Sequence, residues 1–271
     1  MRQDEKYLIF AHYHSNGIIR NDIIDFLNEG KKYFTKIVFV STKINVKELN
    51  KISKKIKVIK RKNTGYDFYS YKVGWEFISK ILSDNIDDKK IYFANSSILF
   101  INPKKIINSI NKIDIKKNEF WGLSRSFELT DHIQSYFFFF SVSLFKNKNI
   151  LNWWNKIKPL NIHYKIIMKY ELGLSKLMIK NNIQLRSIYT KNINLKTNNI
   201  FKKIAQRFNE IFLKTPKYYK KDPTHYFWND FYKLFGIVKI RLIKDNEKKY
   251  KLKKLYELLK RKNILHDAIN N

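Results

Sequence analysis

One stretch of the sequence decides the fold of the chain: Arg61-Lys62-Asn63-Thr64-Gly65-Tyr66-Asp67-Phe68. Residues 56–59, just before it, form an apolar run that predicts a strand, and Asn-Thr-Gly is typical of a tight turn. Apolar residues after the turn recur at the spacing of one helix face, at Phe68, Tyr71, Trp75, Ile78 and Leu82. The stretch therefore predicts a strand, a turn and a helix. Such a junction lies at the carboxyl edge of an open α/β sheet, where ligands bind.

Asp67 falls at the start of this predicted helix. A carboxylate at that position caps the helix by accepting hydrogen bonds from its free N–H groups. The alternative is that Asp67 reaches a ribose, a base edge or a sugar hydroxyl, because the same helix N-terminus offers N–H groups to phosphate oxygens. The sequence spacing leaves both interpretations open.

Strands alternate with helices over the first part of the chain. Apolar runs that predict strands lie at residues 6–10, 37–40, 56–59 and 90–93. Their alternation with helical patterns predicts an α/β fold, a Rossmann-type, mostly parallel sheet whose first four strands are parallel, with helices on both faces. The pattern stops after Thr190. We therefore expect an α/β domain in residues 1–190 and a basic helical segment in residues 191–271, which packs on the domain or faces a membrane.

The composition is strongly basic, with 55 Lys and Arg against 23 Asp and Glu among 271 residues, a formal net charge of +32. Such a charge attracts polyanions at low salt. Most of these basic residues are lysines, however, whereas readers of phosphate and bases typically use the bidentate fork of arginine. No nucleic-acid-binding module or cluster of Arg with aromatic residues is visible, so no nucleic acid partner is expected. The absence of cysteine excludes a disulfide framework and thiolate metal sites.

No membrane-spanning helix is predicted from the sequence. The longest apolar stretch, residues 136–145, has about half the length that a span requires and predicts a buried strand. The first residues lead directly into a strand without the pattern of an export signal. We therefore expect a cytoplasmic location.

Polar and small residues follow the predicted strands where each one ends. They are His12, Tyr13, Ser41, Asn63, Gly65, Tyr66, Asp67, Asn95 and Ser96. Because the carboxyl ends of parallel strands share one edge of the sheet, we expect these residues to line one ligand pocket. For Asn95 and Ser96, a simple loop cap is the alternative.

A second group combines aromatic bodies with polar tips: Trp121, His132, Gln134 and Ser135. This composition suits a site that grips a sugar ring, and an aromatic core with a few satisfied polar groups is the alternative. Two carboxylates stand out in a chain poor in acids. Glu171 lies near the start of a predicted helix, where partnership with the helix dipole is its alternative role, and Asp131 precedes the aromatic strand.

Six motifs of the chain are familiar as a set and in this order. They are Arg-Lys-Asn-Thr-Gly-Tyr-Asp-Phe (61–68), Asn-Ser-Ser (95–97), Phe-Trp-Gly-Leu-Ser (120–124), His-Ile-Gln-Ser-Tyr-Phe (132–137), Tyr-Glu-Leu-Gly-Leu-Ser (170–175) and Asp-Pro-Thr-His-Tyr-Phe-Trp (222–228). With them the chain resembles the rhamnan synthesis protein F family of bacterial glycosyltransferases. The resemblance covers nearly the whole chain and is specific for the family, though not for the sugar.

The resemblance implies a GT-A-like domain that transfers a sugar, with a rhamnose-like deoxysugar favoured, from a nucleotide-sugar donor to a growing surface polysaccharide or lipopolysaccharide. The pocket at the strand ends is then the donor site, and the Trp121 group binds the acceptor. A lipid-linked saccharide acceptor would place the protein at the inner face of the cytoplasmic membrane, where the basic C-terminal helices would meet an anionic surface.

The resemblance also implies chemical roles for the positions of Ser96, Glu171 and Asp131. Asn95-Ser96-Ser97 falls where such enzymes carry an acidic metal-binding triplet, and the family more often shows Asn-Asp-Ser. With Ser96 in the middle, the triplet lacks an anionic ligand for Mg²⁺ or Mn²⁺, so a metal requirement stays open and no metal ligand is assigned. Lysines are the alternative partners of the diphosphate. Inverting transfer needs a general base, for which Glu171 resembles the family position and Asp131 is the rival. An inactive scaffold of polysaccharide assembly is the alternative function that Ser96 leaves open. A basic nucleic-acid-binding protein is the other alternative, since it would explain the charge and the aromatic residues.

Overall fold

A computed structural model describes residues 5–83, 85–127, 129–190, 222–246 and 252–261. Its strands are β1 (Lys6–His12), β2 (Lys36–Ser41), β3 (Lys57–Lys60), β4 (Lys90–Asn95), β5 (Ile98–Phe100), β6 (Glu119–Gly122), β7 (Arg125–Ser126), β8 (His132–Ile133), β9 (Phe137–Ser141), β10 (Gln184–Ser187) and β11 (Ile237–Lys239). Seven of them form the central sheet, in the order β10-β6-β9-β4-β1-β2-β3.

The first four strands of this sheet are parallel, as predicted. β1 pairs with β2 on one side and β4 on the other, and β3 extends the sheet beyond β2. β9 runs antiparallel to both β4 and β6, whereas β10 pairs with β6 in parallel. The sheet is therefore mostly parallel, with one reversed strand next to the centre.

Helices cover both faces of the sheet, which confirms the predicted α/β class. The helices of the described residues are α1 (Asn21–Gly30), α2 (Tyr66–Ile81), α3 (Pro103–Asn111), α4 (Lys148–Asn155), α5 (His163–Ile166), α6 (Leu172–Lys180), α7 (Pro223–Tyr226), α8 (Trp228–Phe235), α9 (Ile240–Lys244) and α10 (Lys253–Arg261). Of these, α9 and α10 pack with β5 and β11 in a separate apolar cluster. One core lies beneath α2, α4 and α6, and the other beneath α1, α3 and α8. Successive residues of one strand feed the two cores in turn, because side chains alternate across a sheet.

The close packing of α2 on the sheet depends on Gly74. A Cβ atom at this position would lie 2.4 Å from Cγ2 of Ile9 in β1. The missing side chain lets the helix approach the central strand closely enough to bury Tyr71 and Trp75. This approach fixes the N-terminal end of α2 at the carboxyl edge of the sheet.

The predicted aromatic strand is shorter than the apolar stretch at residues 136–145. Its phenylalanines divide between the two cores, Phe138 and Phe140 in one and Phe137 and Phe139 in the other. The strand ends at Ser141, whose hydroxyl accepts the N–H of Ser143 at 3.3 Å and begins a 3₁₀ turn, Val142–Lys146. A local side-chain cap therefore ends the strand where the hydrophobic pattern continues.

The C-terminal part of the chain contributes a strand that the helical prediction missed. β11 pairs antiparallel with β5, with Lys239 opposite Ile98. Asp222 caps the helix that follows it, since its carboxylate accepts the N–H of Thr224 at 2.9 Å. The predicted basic helical segment lies outside the described residues over 191–221, 247–251 and 262–271, and the division of the chain at residue 190 stays a prediction.

A buried ion pair anchors the turn between β4 and β5. Arg20 and Asp22 have no side-chain exposure, and Arg20 Nε lies 2.8 Å from Asp22 Oδ1. The Arg20 guanidinium also donates to the carbonyl oxygens of Ser96 and Ile98, at 2.9 and 2.7 Å. Asp22 accepts the N–H of Phe100 at 2.9 Å. The pair thus satisfies backbone groups that neither strand ladder satisfies.

We expect Asp22→Asn to lower the free energy of unfolding by about 3–5 kcal/mol, because it leaves the Arg20 charge buried without its partner. Urea denaturation followed by circular dichroism measures the change. The control is Glu29→Gln, which removes an exposed pair with Lys32 and should change stability by less than about 1 kcal/mol. Equal small effects of both substitutions would contradict an anchoring role for Asp22.

Candidate functional site

A cavity of about 820 Å³ opens at the carboxyl edge of the parallel strands. We call it the central pocket. It brings together most of the residues singled out from the sequence: His12, Tyr13, Asn63, Gly65, Tyr66, Asp67, Asn95, Ser96, His132, Gln134, Ser135 and Glu171. Residues that follow different strands thus meet at one edge, as the parallel topology predicts.

Three of the predicted site residues do not line the central pocket. Ser41 is buried behind it, 2.9 Å from Nδ1 of His12. Trp121 donates its indole N–H to Glu119 at 2.9 Å and stacks on Phe139, so it belongs to the core on the other side of the sheet. Successive side chains of β6 point to opposite faces of the sheet, and the side chain of Trp121 lies on the face away from the pocket.

Asp131 is the third residue that the structure places elsewhere. Both of its carboxylate oxygens accept hydrogen bonds from the guanidinium of Arg125, one of them at 2.5 Å. A carboxylate held in this bidentate pair is committed to structure. The rival candidate for the general base therefore lies outside the pocket and is already paired.

The turn before α2 has an unusual backbone that Arg61 stabilises. Gly65 and Tyr66 have φ angles of 76° and 51°, both in the left-handed region. The Arg61 guanidinium donates to the carbonyl oxygens of Thr64 and Tyr66, the latter at 2.6 Å, and to the hydroxyl of Ser70. A left-handed Tyr66 carries strain that such contacts must offset. Arg61 is thus a positioning residue that the sequence reasoning did not single out.

Tyr66 presents its ring at the mouth of the pocket. Its side chain is 45% exposed, and the ring lies 5.6 Å from that of His163. Gly65 cannot be replaced without a clash, since a Cβ atom there would lie 2.6 Å from Cα of Pro159. The turn therefore holds an accessible aromatic ring beside a polar cavity, an arrangement suited to stacking on a flat ligand.

Asp67 does not cap its helix through a hydrogen bond. Its Oδ2 atom accepts a hydrogen bond from Nδ2 of Asn95 at 2.8 Å, across the pocket from α2. Burial raises the pKa of Asp67 from 3.8 to about 6, while the Lys239 and Arg61 charges oppose the rise and Glu171 adds to it. Of the two interpretations of the sequence, the geometry favours a carboxylate that faces the ligand site.

His12 is neutral and fixed in orientation. Burial lowers its pKa to about 3, and the nearby Arg20 charge contributes to the same shift. Nε2 lies 3.2 Å from the carbonyl oxygen of Ile18, which can only accept, so this nitrogen carries the proton. His12 therefore shapes the pocket and is not suited to acid or base chemistry at neutral pH.

Glu171 lies within a longer helical segment, not near a helix start. The segment begins with α5 at His163 and continues through a π-helical turn, Ile167–Glu171, into α6. This position removes the helix-dipole alternative. Oε1 of Glu171 accepts the N–H of Ser135 at 2.8 Å. Single π-helical turns frequently occur at functional sites because they redirect a side chain within a helix.

Lys239 and Asp222 also line the pocket and were not predicted as site residues. The Lys239 ammonium donates to Oγ of Ser97 at 3.3 Å and lies 4.1 Å from the ring centre of Tyr136. Burial lowers its pKa, and Asp222, Glu171 and Asp67 oppose this shift. In the sequence, Lys239 is one of many lysines, and no local pattern distinguishes it.

Asp222 is stabilised as an anion inside the pocket. Burial alone would raise its pKa, but Lys239, His225, Thr224 and Gln134 together lower it. Gln134 donates to Asp222 Oδ1 at 3.2 Å. The sequence signal for this residue is that Asp222 opens the last of the six motifs, and that motif alone did not assign it to the ligand site.

The pocket does not offer a set of ligands suited to Mg²⁺ or Mn²⁺. No group of three His, Cys, Asp or Glu residues in the described part of the chain could hold a metal ion. The hydroxyl of Ser96, in the middle of the triplet at the end of β4, donates to the carbonyl oxygen of Tyr13 at 3.0 Å and accepts the N–H of Tyr13 at 3.1 Å. A hard divalent cation prefers several anionic oxygens, which this triplet lacks.

The sheet order and the pocket at its carboxyl edge define an α/β protein with a mostly parallel sheet and a ligand-sized cavity at the ends of its strands. Residues 37–216 match the sequence model described as rhamnan synthesis protein F, and the chain belongs to this family. The family takes its name from the synthesis of a polysaccharide.

Two curated relatives are similar to parts of the chain. The uncharacterized protein y4gN of Sinorhizobium fredii is 25% identical over 170 residues, which cover 60% of this chain and 43% of that protein. The virulence protein VirA of Vibrio anguillarum is 28% identical over 203 residues, covering 71% of this chain and 64% of that protein. The chain thus spans about half the length of the curated relatives it matches.

Two solved structures show a distant likeness. The glycosyltransferase GlyE of Streptococcus pneumoniae has a TM-score of 0.42 at 13% identity, covering 88% of this chain and 54% of that protein. A 4-diphosphocytidyl-2C-methyl-D-erythritol synthase has a TM-score of 0.46 at 7% identity, covering 76% and 99%. Likeness at this level does not bear on substrate or reaction.

The raised pKa of Asp67 predicts that its ionised form opposes folding. The folded state holds the proton more tightly than the unfolded state, so this contribution to stability is present below pH 4 and is lost as the pH rises through about 6. We therefore expect Asp67→Asn to raise the melting temperature at pH 7.5. In a chain of this size, each 1 kcal/mol gained in the free energy of unfolding corresponds to a rise of about 2–4 °C. The difference should shrink at pH 4.

Asp222→Asn provides the control of opposite sign. Its lowered pKa means that ionisation stabilises the folded state, so the substitution should lower the melting temperature at pH 7.5. Thermal unfolding followed by circular dichroism at both pH values measures the two effects. A lower melting temperature for Asp67→Asn at pH 7.5 would show that Asp67 acts as a structural cap.

Proposed function

We propose that the chain is a glycosyltransferase that passes a sugar from a nucleotide-sugar donor to a growing surface polysaccharide. The observation that carries this proposal is the meeting of Asp67, Asn95 and Glu171 in one pocket, in a member of the rhamnan synthesis protein F family. Residues from three separate parts of the sequence converge on this pocket.

The turn at residues 63–67 suits the nucleotide part of the donor. The N-terminus of α2 supplies free N–H groups and a positive dipole end for phosphate oxygens. We assign Asp67 to the ribose hydroxyls and the exposed ring of Tyr66 to the base, an assignment supported by their position in the lining of the pocket. Arg241 and Lys244 line the same pocket and favour an anionic ligand.

The other side of the pocket suits the acceptor. His132, Gln134 and Ser135 line it, and Ser135 holds the carboxylate of Glu171 through its backbone N–H. We assign the general base to Glu171. In the inverting reaction, the bond between the anomeric carbon and the diphosphate oxygen breaks, and its electron pair stays on the diphosphate. The acceptor oxygen forms the new bond, and its proton passes to Glu171.

A rhamnose-like deoxysugar is the donor sugar we propose, and a lipid-linked saccharide of polysaccharide or lipopolysaccharide synthesis is the acceptor. The family name supports the first, and the open pocket supports the second. The corresponding site of action is the inner face of the cytoplasmic membrane. No helix within the residues that the structure describes combines the length and apolarity of a membrane span.

Glu171→Gln should reduce transfer by roughly 10²- to 10⁴-fold while donor binding survives, because glutamine keeps the bond from Ser135 but cannot take a proton. Titration calorimetry with a panel of nucleotide sugars identifies the donor and measures its affinity. Release of nucleoside diphosphate, with a bacterial lipid extract as the acceptor source, measures transfer.

Asp131→Asn is the matched control for this experiment. It makes the same change from carboxylate to amide at a residue that is paired with Arg125 outside the pocket, so it should leave transfer nearly unchanged. The opposite result would exchange the two roles, and normal transfer in both variants would overturn the inverting mechanism. Failure of the unaltered chain to bind any nucleotide sugar would favour the inactive scaffold.

The basic surface near the C-terminus predicts binding to anionic lipid. α10 buries Leu255 and Leu259 and leaves Lys253, Lys254, Lys260 and Arg261 exposed on its other face. Each such charge near an anionic membrane contributes roughly 1 kcal/mol. We therefore expect the chain to sediment with phosphatidylserine vesicles at moderate salt and not with phosphatidylcholine vesicles. Indifference to lipid charge would show that the basic composition has no role in membrane binding.

A further inference from the structure

The triplet after β4 is internally satisfied and neutral. Oδ1 of Asn95 accepts the N–H and the hydroxyl of Ser97, at 3.0 and 2.6 Å, and its Nδ2 donates to Asp67. The hydroxyl of Ser96 both accepts from and donates to the backbone of Tyr13. These oxygens are therefore occupied by fixed partners and offer no negative charge to an incoming metal ion.

A protein cation lies directly beside this triplet. The Lys239 ammonium donates to Oγ of Ser97 at 3.3 Å, and the ring of Tyr136 lies 4.1 Å away on another side. The pairing of β11 with β5 fixes the backbone of Lys239 opposite Ile98, three residues beyond Asn95. The ammonium is thus held at the end of β4 by its strand and by two side-chain contacts.

The charges of the pocket are arranged around this lysine. Asp67, Glu171 and Asp222 lie close enough for their charges to favour the protonated form of Lys239. The same three carboxylates come from separate elements and do not form a cluster able to hold a metal ion among the described residues. A divalent cation placed beside the triplet would also be repelled by the ammonium.

We propose that Lys239 takes the position and the electrostatic role of the divalent cation, so that the diphosphate of the donor binds and leaves without metal. This inference rests on the proposed function, since it concerns the donor of that reaction. The ammonium carries three N–H donors, of which Ser97 uses one, so it can bond the oxygens of the diphosphate as their charge increases.

Lysine differs from a metal ion in what it requires of its surroundings. A metal needs several anionic ligands, whereas an ammonium needs a fixed stem and a few hydrogen-bond acceptors. The serines at positions 96 and 97 meet the second requirement and not the first. Ser96 stands where the family more often has an acidic residue, and Lys239 lies beside the triplet. The loss of the anionic metal ligand and the presence of the ammonium therefore belong together in the proposal.

The first test uses the unaltered chain and a panel of nucleoside diphosphates. Titration calorimetry is performed in EDTA and, separately, with Mg²⁺ and with Mn²⁺. The proposal predicts affinities in EDTA within about threefold of those with metal. Binding that disappears in EDTA and returns with Mg²⁺ or Mn²⁺ would overturn the role of Lys239 while leaving the proposed function intact. Absence of binding under all conditions would overturn both.

The second test uses substitutions of the lysine. Lys239→Gln should weaken nucleoside diphosphate binding by at least about tenfold, a loss that added Mg²⁺ should not reverse, and Lys239→Arg should restore most of it by keeping the charge. Lys80→Gln, an exposed substitution at the last turn of α2, makes the same charge change far from the pocket and should leave binding unaltered. A metal-free affinity for Lys239→Gln equal to that of Lys80→Gln would overturn the proposal, and circular dichroism verifies that each variant is folded.

Discussion

The buried pair of Arg20 and Asp22 is the interaction on which the site depends. It satisfies the carbonyl oxygens of Ser96 and Ile98 and the N–H of Phe100, so it sets the turn at which β4 becomes β5. β5 in turn is the only partner of β11 in its two-stranded sheet, within the described chain. The orientation of the triplet and the position of the pocket lysine thus follow from one ion pair. Removing water from such a pair is costly, and the backbone hydrogen bonds offset that cost.

The pocket is also where the backbone departs from regular geometry. The pocket is lined both by the left-handed residues Gly65 and Tyr66 and by the π-helical turn that ends at Glu171. Each irregularity aims a polar group that a regular helix or strand would direct elsewhere. Buried Asp67 adds an electrostatic cost, which its raised pKa records. The irregular backbone and the buried carboxylate both lower the stability of the fold, and both lie in the lining of the pocket. Such local costs are expected where residues are selected for function.

Sequence reasoning succeeded where local pattern determines structure. Three of the parallel strands, β1, β2 and β4, are apolar runs because both of their faces are buried, and the polar residues at the strand ends share one edge because the strands are parallel. It failed where long-range contacts decide. A three-residue strand such as β11 has no period to detect, so Lys239 could not be placed in the pocket. Trp121 and Asp131 are close in the sequence to residues that line the pocket, but neither lines it. The alternation of side chains along β6 directs Trp121 to the other face, and the ion pair with Arg125 holds Asp131 outside the pocket.

The pairing of β11 with β5 has a consequence for how the protein is made. All seven strands of the central sheet have been synthesised once residue 187 is complete, whereas Lys239 lies more than fifty residues further along the chain. Folding during synthesis starts from the N-terminal part of a chain, which leaves the ribosome first. A nascent chain can therefore pair the strands of its central sheet while its pocket still lacks the Lys239 ammonium, which joins the pocket only after β11 has been synthesised and has paired with β5.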